Sequence, residues 1–150
     1  MVHSVTQLPP IGPDLSTPEG KSWVYRLEAS RCVSAAKTLQ EHHPYLNETP
    51  TYIILFHSIE LGLKSFLINS GIPEKDLGKT PYRHDLCALY KEATRRGLAL
   101  ADTNAAQIIE WINEWHCKGV KIRYEFTLER ELPVCAVVLP LAEAIIAASE

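Results

Sequence analysis

Several common signatures of enzymes and metal proteins are missing from this sequence. It contains no glycine-rich phosphate loop, no G-x-S-x-G nucleophile elbow and no dinucleotide-binding fingerprint. Its four cysteines are widely spaced and form no C-x-x-C pair, which favours reduced thiols in a core over disulfides. His42-His43 and His116-Cys117 lack a second group of ligands at metal-binding spacing. We therefore expect neither a bound cofactor nor a bound metal ion.

A large charge of one sign and a long apolar run are lacking too. The formal net charge is −3, so the chain as a whole does not attract nucleic acid, and any such binding needs a local basic patch. The N-terminus shows no basic region followed by an apolar run, so no secretory signal is expected. The most apolar stretch, 134–148, is interrupted by Pro140 and Glu143 and is shorter than the roughly 20 residues of a membrane span. We expect a cytoplasmic protein without a membrane partner.

The length of 150 residues allows one domain with a buried core. Pro9, Pro10 and Pro13 mark residues 1–16 as an extended or loose leader. The remainder, 17–150, shows no internal repeat and no low-complexity tract, so we predict a single helical domain there.

Helix signals recur along this domain. Thr17-Pro18 and Thr49-Pro50 each offer an N-cap residue followed by a proline, which suits the first position of a helix. Apolar residues then recur at steps of three and four in four segments, which begin near Thr17, Thr49, Asp85 and Asn104. The second segment is predicted to run to about Asn69.

The last part of the chain is less regular. Residues 123–129 alternate in a way that is compatible with a strand, and Pro133 is placed to start a fifth helix with a kink at Pro140. Residues 134–139 are also compatible with a strand, although we favour a helix. Four or five helices joined by short loops predict an all-α, antiparallel (up-and-down) bundle.

His57, Glu60 and Lys64 form a narrow polar stripe on the second helix, which is otherwise apolar almost all round. At about 100° per residue, the three side chains fall within roughly 60° of one another. The stripe is either an internal network that fixes helix register or the lining of a site. Glu60 and Lys64 are spaced for an i,i+4 ion pair, and we expect His57 to be a hydrogen-bonded core histidine.

The order of these elements resembles the HEPN (higher eukaryotes and prokaryotes nucleotide-binding) family of small helical bundles. The resemblance covers about residues 17–146 and implies a HEPN-like fold. The matching residues are Glu60-Leu61-Gly62-Leu63-Lys64-Ser65-Phe66-Leu67 on the second helix, Gly71, His84-Asp85-Leu86 with Leu89 on the third, and Arg123-Tyr124 after the fourth.

The resemblance implies a function as well as a fold. Catalytic members of the family are metal-independent ribonucleases, often toxins, whose motif places a histidine shortly after an arginine. Here Arg123 is followed by six residues, Tyr124 to Glu129, without a histidine. The resemblance therefore implies a non-catalytic member in which Glu60 orients Arg123 and Lys64 meets a phosphate. Glu60, Lys64, Arg123 and Tyr124 are the expected ligand-binding residues.

For His84 and Asp85 we favour a structural role at the start of the third helix, where an acidic side chain near the positive helix end is favourable. The alternative to a non-catalytic domain is a divergent metal-independent ribonuclease, in which His57 or His84 acts beside Arg123 in place of the missing histidine.

Partners are implied in the same way. The C-terminal segment is apolar on more sides than a small monomer covers easily, which predicts a homodimer. The resemblance implies a nucleotide or RNA ligand, and a nucleotidyltransferase or an antitoxin as a protein partner. Lys118, Lys121 and Arg123 form a cationic cluster that either caps the fourth helix or contacts an RNA backbone.

Overall fold

The computed structural model describes residues 12–42, 49–117 and 132–150. These ranges contain no strand, and they hold six helices: α1 (Pro18–His42), α2 (Thr49–Asn69), α3 (Glu74–Leu77), α4 (Leu86–Arg95), α5 (Ala105–His116) and α6 (Cys135–Ala148). The prediction of an all-α bundle is confirmed. The leader, residues 1–11, lies outside the described residues, as do residues 118–131 with the strand that we considered at 123–129.

Helix α2 lies at the centre of the bundle and contacts each of the other described helices. Its residues are buried on almost every side, as the apolar composition of this segment predicts. By length and composition alone, α2 is the one described helix that could cross a membrane, but 72% of its apolar window is buried inside the protein. Packing against its neighbouring helices therefore accounts for its apolar surface.

Side-chain caps are present at two of the predicted helix starts, whereas Asn104 before α5 makes none. The Thr17 hydroxyl accepts the backbone N–H of Gly20 at 3.0 Å, and the Asp85 carboxylate accepts that of Ala88 at 2.9 Å. Helices α2 and α4 are followed by glycines with positive φ, Gly71 at 96° and Gly97 at 103°. Side chains other than glycine rarely adopt this conformation.

The contact between α1 and α2 uses small polar residues that the apolar pattern did not identify. The hydroxyl of Ser22 donates to the backbone oxygen of Ser65 at 3.0 Å, and the hydroxyl of Ser65 donates to the backbone oxygen of Ser22 at 2.9 Å. The hydroxyl of Ser58 donates to the backbone oxygen of Ala29 at 3.1 Å. These reciprocal bonds satisfy buried hydroxyls and let the two helices approach closely.

The structure adds one helix to those predicted. The short helix α3 has four residues, which give no periodicity to detect. The choice of a helix at the C-terminal end is confirmed from Cys135 onward, with Pro140 inside α6. Its residue Ile145 is fully buried and packs against Gly62 of α2.

Candidate functional site

Glu60 is a buried carboxylate in the middle of α2, 3% exposed. The ammonium of Lys64, one turn later, donates to its Oε1 at 2.6 Å and to the backbone oxygen of Arg83 at 2.9 Å. The predicted i,i+4 ion pair is therefore present, but it is buried rather than exposed to solvent. Lys64 also ties α2 to the turn that precedes α4.

Two histidines from other parts of the chain contact the same carboxylate. Nε2 of His116, on α5, lies 2.6 Å from Oε2 of Glu60. Nδ1 of His84, in the turn before α4, lies 3.2 Å from Oε1 and 3.3 Å from Oε2. The two imidazole rings are nearly perpendicular, with their centroids 6.3 Å apart. We call Glu60, Lys64, His84 and His116 the Glu60 cluster.

Burial alone would raise the pKa of Glu60. Hydrogen bonds from His116 and Lys64, with their positive charge, outweigh burial and lower the pKa from 4.5 to about 2. An ionised carboxylate accepts hydrogen bonds and donates none, so the nitrogens of both histidines that face it act as donors. In a neutral ring of His84 the other nitrogen, Nε2, is then an acceptor.

A second set of hydrogen bonds fixes the two histidines relative to one another. Oδ1 of Asn113, on α5, accepts the backbone N–H of Leu86 at 2.7 Å. Its Nδ2 donates to Oδ1 of Asp85 at 3.1 Å, the same carboxylate that caps α4. Asn113 lies one turn before His116, and Asp85 follows His84 directly. This clamp between α4 and α5 therefore holds the two imidazoles over Glu60.

The cluster has a buried side and an open side. The side chains of Glu60 and His116 are 4% and 9% exposed, whereas that of His84 is 46% exposed. One nitrogen of each imidazole and one carboxylate oxygen lie within 4.8 Å of one another. Such an arrangement can bind a metal ion, or orient His84 for proton transfer at the surface.

The predicted site residues meet different outcomes. Glu60 and Lys64 lie together, and His84 joins them, while Asp85 caps α4 as the structural interpretation proposed. The expectation of a core histidine at position 57 is wrong, because His57 is exposed. The other two residues of the polar stripe are contacted from outside α2. His84 and His116 contact Glu60, and the backbone oxygen of Arg83 accepts a hydrogen bond from Lys64.

Arg123 and Tyr124, which the resemblance assigned to ligand binding, lie outside the described residues, as do Lys118 and Lys121. The proposed pairing of Glu60 with Arg123 therefore stays a prediction. Among the described residues, the positive partner that compensates the buried carboxylate is Lys64, with hydrogen bonds from two histidines.

His116 is the member of the cluster that sequence reasoning missed. It follows Ile108 and Ile112 at steps of four on α5, so it lies on the buried face of that helix. A buried polar side chain needs a hydrogen-bond partner, and this was the signal for a link to the carboxylate of Glu60.

Three of the four cysteines lie in surroundings that disfavour the thiolate. None of the four forms a disulfide, and burial raises the pKa of Cys32, Cys87 and Cys135. A raised pKa lowers the fraction of the nucleophilic thiolate, so these three residues suit packing better than catalysis.

A groove of about 390 Å³ lies elsewhere, between the start of α1 and the segment that follows α2. Ile68, Ile72 and Lys21 contribute to its wall, and the ammonium of Lys21 pairs with Glu74 at 2.9 Å. No member of the Glu60 cluster lines this groove. Lys21 and Glu74 compensate one another, and Lys75 adds one further positive charge to the wall.

Comparison with known proteins gives no match to a family model, to a curated protein or to a solved structure.

Proposed function

We propose that this chain is a HEPN-like helical domain that binds the phosphate groups of a nucleotide or of RNA without cleaving them. One observation carries the proposal: Glu60 of α2 contacts His84 of the His-Asp-Leu segment, although 24 residues separate them. These residues belong to the two segments whose pairing gives the resemblance its specificity. Their convergence on one cluster supports a common origin for the pattern.

The surface around His84 is suited to an anion. The imidazole of His84 is half-exposed and is held by a buried carboxylate, and the neighbouring Arg83 is exposed. Both side chains therefore reach solvent from a turn that Lys64 anchors through the Arg83 backbone. Lys64 itself is buried and already donates to two oxygens, so its part is to hold this surface rather than to contact the ligand.

A binding measurement with labelled single-stranded RNA of mixed sequence, followed by fluorescence anisotropy, tests the proposal. We expect Arg83→Ala to weaken binding several-fold and to reduce the slope of log affinity against log salt by about 1. Lys91→Ala removes an exposed cation from α4 and is the matched control, with a smaller effect. Absence of RNA and nucleotide binding, or equal losses in both variants, would contradict the proposal.

We also propose that the domain acts as a homodimer and that its protein partner is an antitoxin or a nucleotidyltransferase. Val134 and Val137, at the start of α6, are exposed apolar residues one turn apart, which favours a contact with a second chain. Light scattering at micromolar concentration should give twice the mass of one chain. Val137→Asp should reduce that mass, and a monomeric wild-type protein would contradict the homodimer.

One observation favours the alternative of a divergent ribonuclease. A carboxylate that orients Nδ1 of an imidazole leaves Nε2 to accept a proton, as in other carboxylate–histidine pairs. The contact between Glu60 and His84 has this arrangement, and His84 is on the accessible side of the cluster. In this alternative, His84 would remove a proton from the attacking ribose hydroxyl.

RNA cleavage in the presence of a chelator distinguishes the two functions. A divergent ribonuclease should degrade RNA under these conditions, and His84→Ala should abolish the activity while His57→Ala should not. His57 is the appropriate control because it is an exposed histidine on α2, one turn from Glu60. RNA that stays intact with wild-type protein supports the binding function alone.

A further inference from the structure

We propose that Glu60, His84 and His116 form a binding site for a first-row transition-metal dication, for which Zn²⁺ is the appropriate probe. The observation behind the proposal is a set of three ligand atoms from three separate elements that converge on one point. The set consists of a carboxylate oxygen from α2, an imidazole nitrogen from the turn before α4 and an imidazole nitrogen from the end of α5.

The distances are close to those that a metal requires. Tetrahedral zinc with bonds of about 2.0–2.1 Å holds neighbouring ligand atoms about 3.4 Å apart. Nδ1 of His84 already lies 3.3 Å from Oε2 of Glu60, and Nε2 of His116 lies 2.6 Å from the same oxygen, at hydrogen-bond distance. In the metal complex the dication replaces the protons that these nitrogens share with Glu60. Nε2 of His116 then moves about 1 Å away from the carboxylate, while the two imidazole nitrogens, which lie within 4.8 Å of one another, keep or shorten their separation. Binding releases protons.

The types of donor atom select the class of metal. Two imidazoles and one carboxylate suit zinc and neighbouring transition metals, whereas magnesium and calcium prefer sites made only of oxygen. Three protein ligands also leave a fourth position open for water or for an oxygen of a bound anion. That position lies toward solvent here, because His84 is the half-exposed member of the set. The same side gives the ion a path of entry.

The surrounding hydrogen bonds are of the kind that orient metal ligands. Lys64 binds Oε1 of Glu60, so Oε2 stays directed at His116. Asn113 joins α5 to Asp85 and to Leu86, and so sets the separation of the two histidines. Outer partners of this kind commonly change metal affinity 10- to 100-fold, roughly, when they are removed. The charge of Lys64 opposes a dication, which lowers the affinity below that of a site without it.

The inference does not depend on the proposed function, because it concerns the ion alone and needs no RNA. Isothermal titration calorimetry of the full chain, first freed of metal with a chelator, should give one Zn²⁺ per chain. His84→Ala removes an accessible ligand and should weaken this binding by about 100-fold or more. His57→Ala, which removes an exposed histidine from α2, should leave it unchanged. Mg²⁺ should not compete.

A spectroscopic measurement separates this site from adventitious binding by the four cysteines. Co²⁺ bound at the cluster should show ligand-field absorption without the charge-transfer band of a thiolate. In nuclear magnetic resonance spectra, Zn²⁺ should shift the imidazole resonances of two residues, His84 and His116. In Glu60→Gln, Zn²⁺ should no longer shift these resonances. A thiolate band, or equal Zn²⁺ affinity in wild type and His84→Ala, would overturn the proposal.

Discussion

Nε2 of His116 lies 2.6 Å from Oε2 of Glu60, and 56 residues separate the two in sequence. Both side chains are buried, and each gives the other a partner that an apolar core lacks. A buried charge without a partner costs several kcal/mol, roughly, so the contact constrains where α5 lies against α2. The cluster is therefore part of the fold as well as the candidate site.

The first prediction concerns the stability that Glu60 provides. Glu60→Gln leaves the ammonium of Lys64 buried without a charge partner, so we expect the free energy of unfolding to fall by about 3 kcal/mol. Urea denaturation in the presence of a chelator measures this loss without any contribution from metal. The control is Glu28→Gln, which breaks an exposed pair with Arg31 and should cost about 0.5 kcal/mol or less.

A double variant shows how much of that loss comes from the orphaned charge. Glu60→Met combined with Lys64→Met removes both charges and keeps apolar volume on α2. We expect the pair to lose less stability than Glu60→Gln alone, because no buried ammonium is left. If the stability losses of Glu60→Met and Lys64→Met, measured singly, add up to the loss of the double variant, the two side chains are not energetically coupled.

The second prediction concerns the clamp at Asn113. Asn113→Ala leaves the backbone N–H of Leu86 without its acceptor, and this should cost about 1–3 kcal/mol of the free energy of unfolding. Asn104→Ala is the control, since Asn104 is exposed and its side chain makes no capping bond to α5. We expect that control to change stability by about 0.5 kcal/mol or less. Equal effects in urea denaturation would contradict a special role for Asn113.

The helices were predictable because their signals are local. The bounds of α2, the cap at Asp85 and the glycines after α2 and α4 follow from residues within one or two turns. The polar stripe was also visible, since Glu60 and Lys64 share a face of one helix. Periodicity within a helix therefore identified half of the cluster.

The rest of the cluster depends on tertiary contacts that a single sequence does not specify. His57 is three residues from Glu60 in sequence, whereas the resemblance alone links His84 to Glu60. In the structure His84 contacts Glu60, while His57 is exposed. The difference comes from how α4 and α5 pack on α2. Asn113 of α5 contributes to this packing through hydrogen bonds to the start of α4. Hydrogen bonds between distant elements leave no periodic pattern to read.

The third prediction concerns Gly62, which lies where α2 meets α6. A Cβ at this position would lie 2.9 Å from Cγ2 of Ile145, a fully buried side chain. Replacing glycine by alanine inside a helix normally stabilises it by about 1 kcal/mol. The overpacking should exceed this gain, so we expect Gly62→Ala to lower the free energy of unfolding by about 1 kcal/mol.

Two variants test this explanation of Gly62. Gly78→Ala is the control, because the nearest atom to its Cβ would be a backbone oxygen 3.9 Å away, and it should be neutral or slightly stabilising. Ile145→Ala removes the methyl group in question. In that background, Gly62→Ala should no longer destabilise, which thermal and urea denaturation can show. A constant cost in both backgrounds would mean that the crowding lies elsewhere.

The fourth prediction concerns pH and the C-terminal end of α4. Hydrogen bonds from the guanidinium groups of Arg95 and Arg96 lower the pKa of Glu92 from 4.5 to about 2. Arg96 also donates to the backbone oxygen of Ser70 at 2.7 Å, so the charged group joins α4 to the residue that follows α2. A depressed pKa in the folded state means that ionised Glu92 stabilises the protein above about pH 4.5. That stability is lost as the pH falls toward 2.

Thermal denaturation at a series of pH values checks this dependence. Glu92→Gln should melt below the wild type at pH 7, and the gap between the two melting temperatures should narrow as the pH falls from 4.5 toward 2. The same substitution at Glu114, an exposed residue of α5, corrects for the general effect of removing one negative charge. Because the Glu92 pairs are at the surface, added salt should narrow the gap at pH 7 as well. A gap that is independent of both pH and salt would show that Glu92 acts through packing instead of charge.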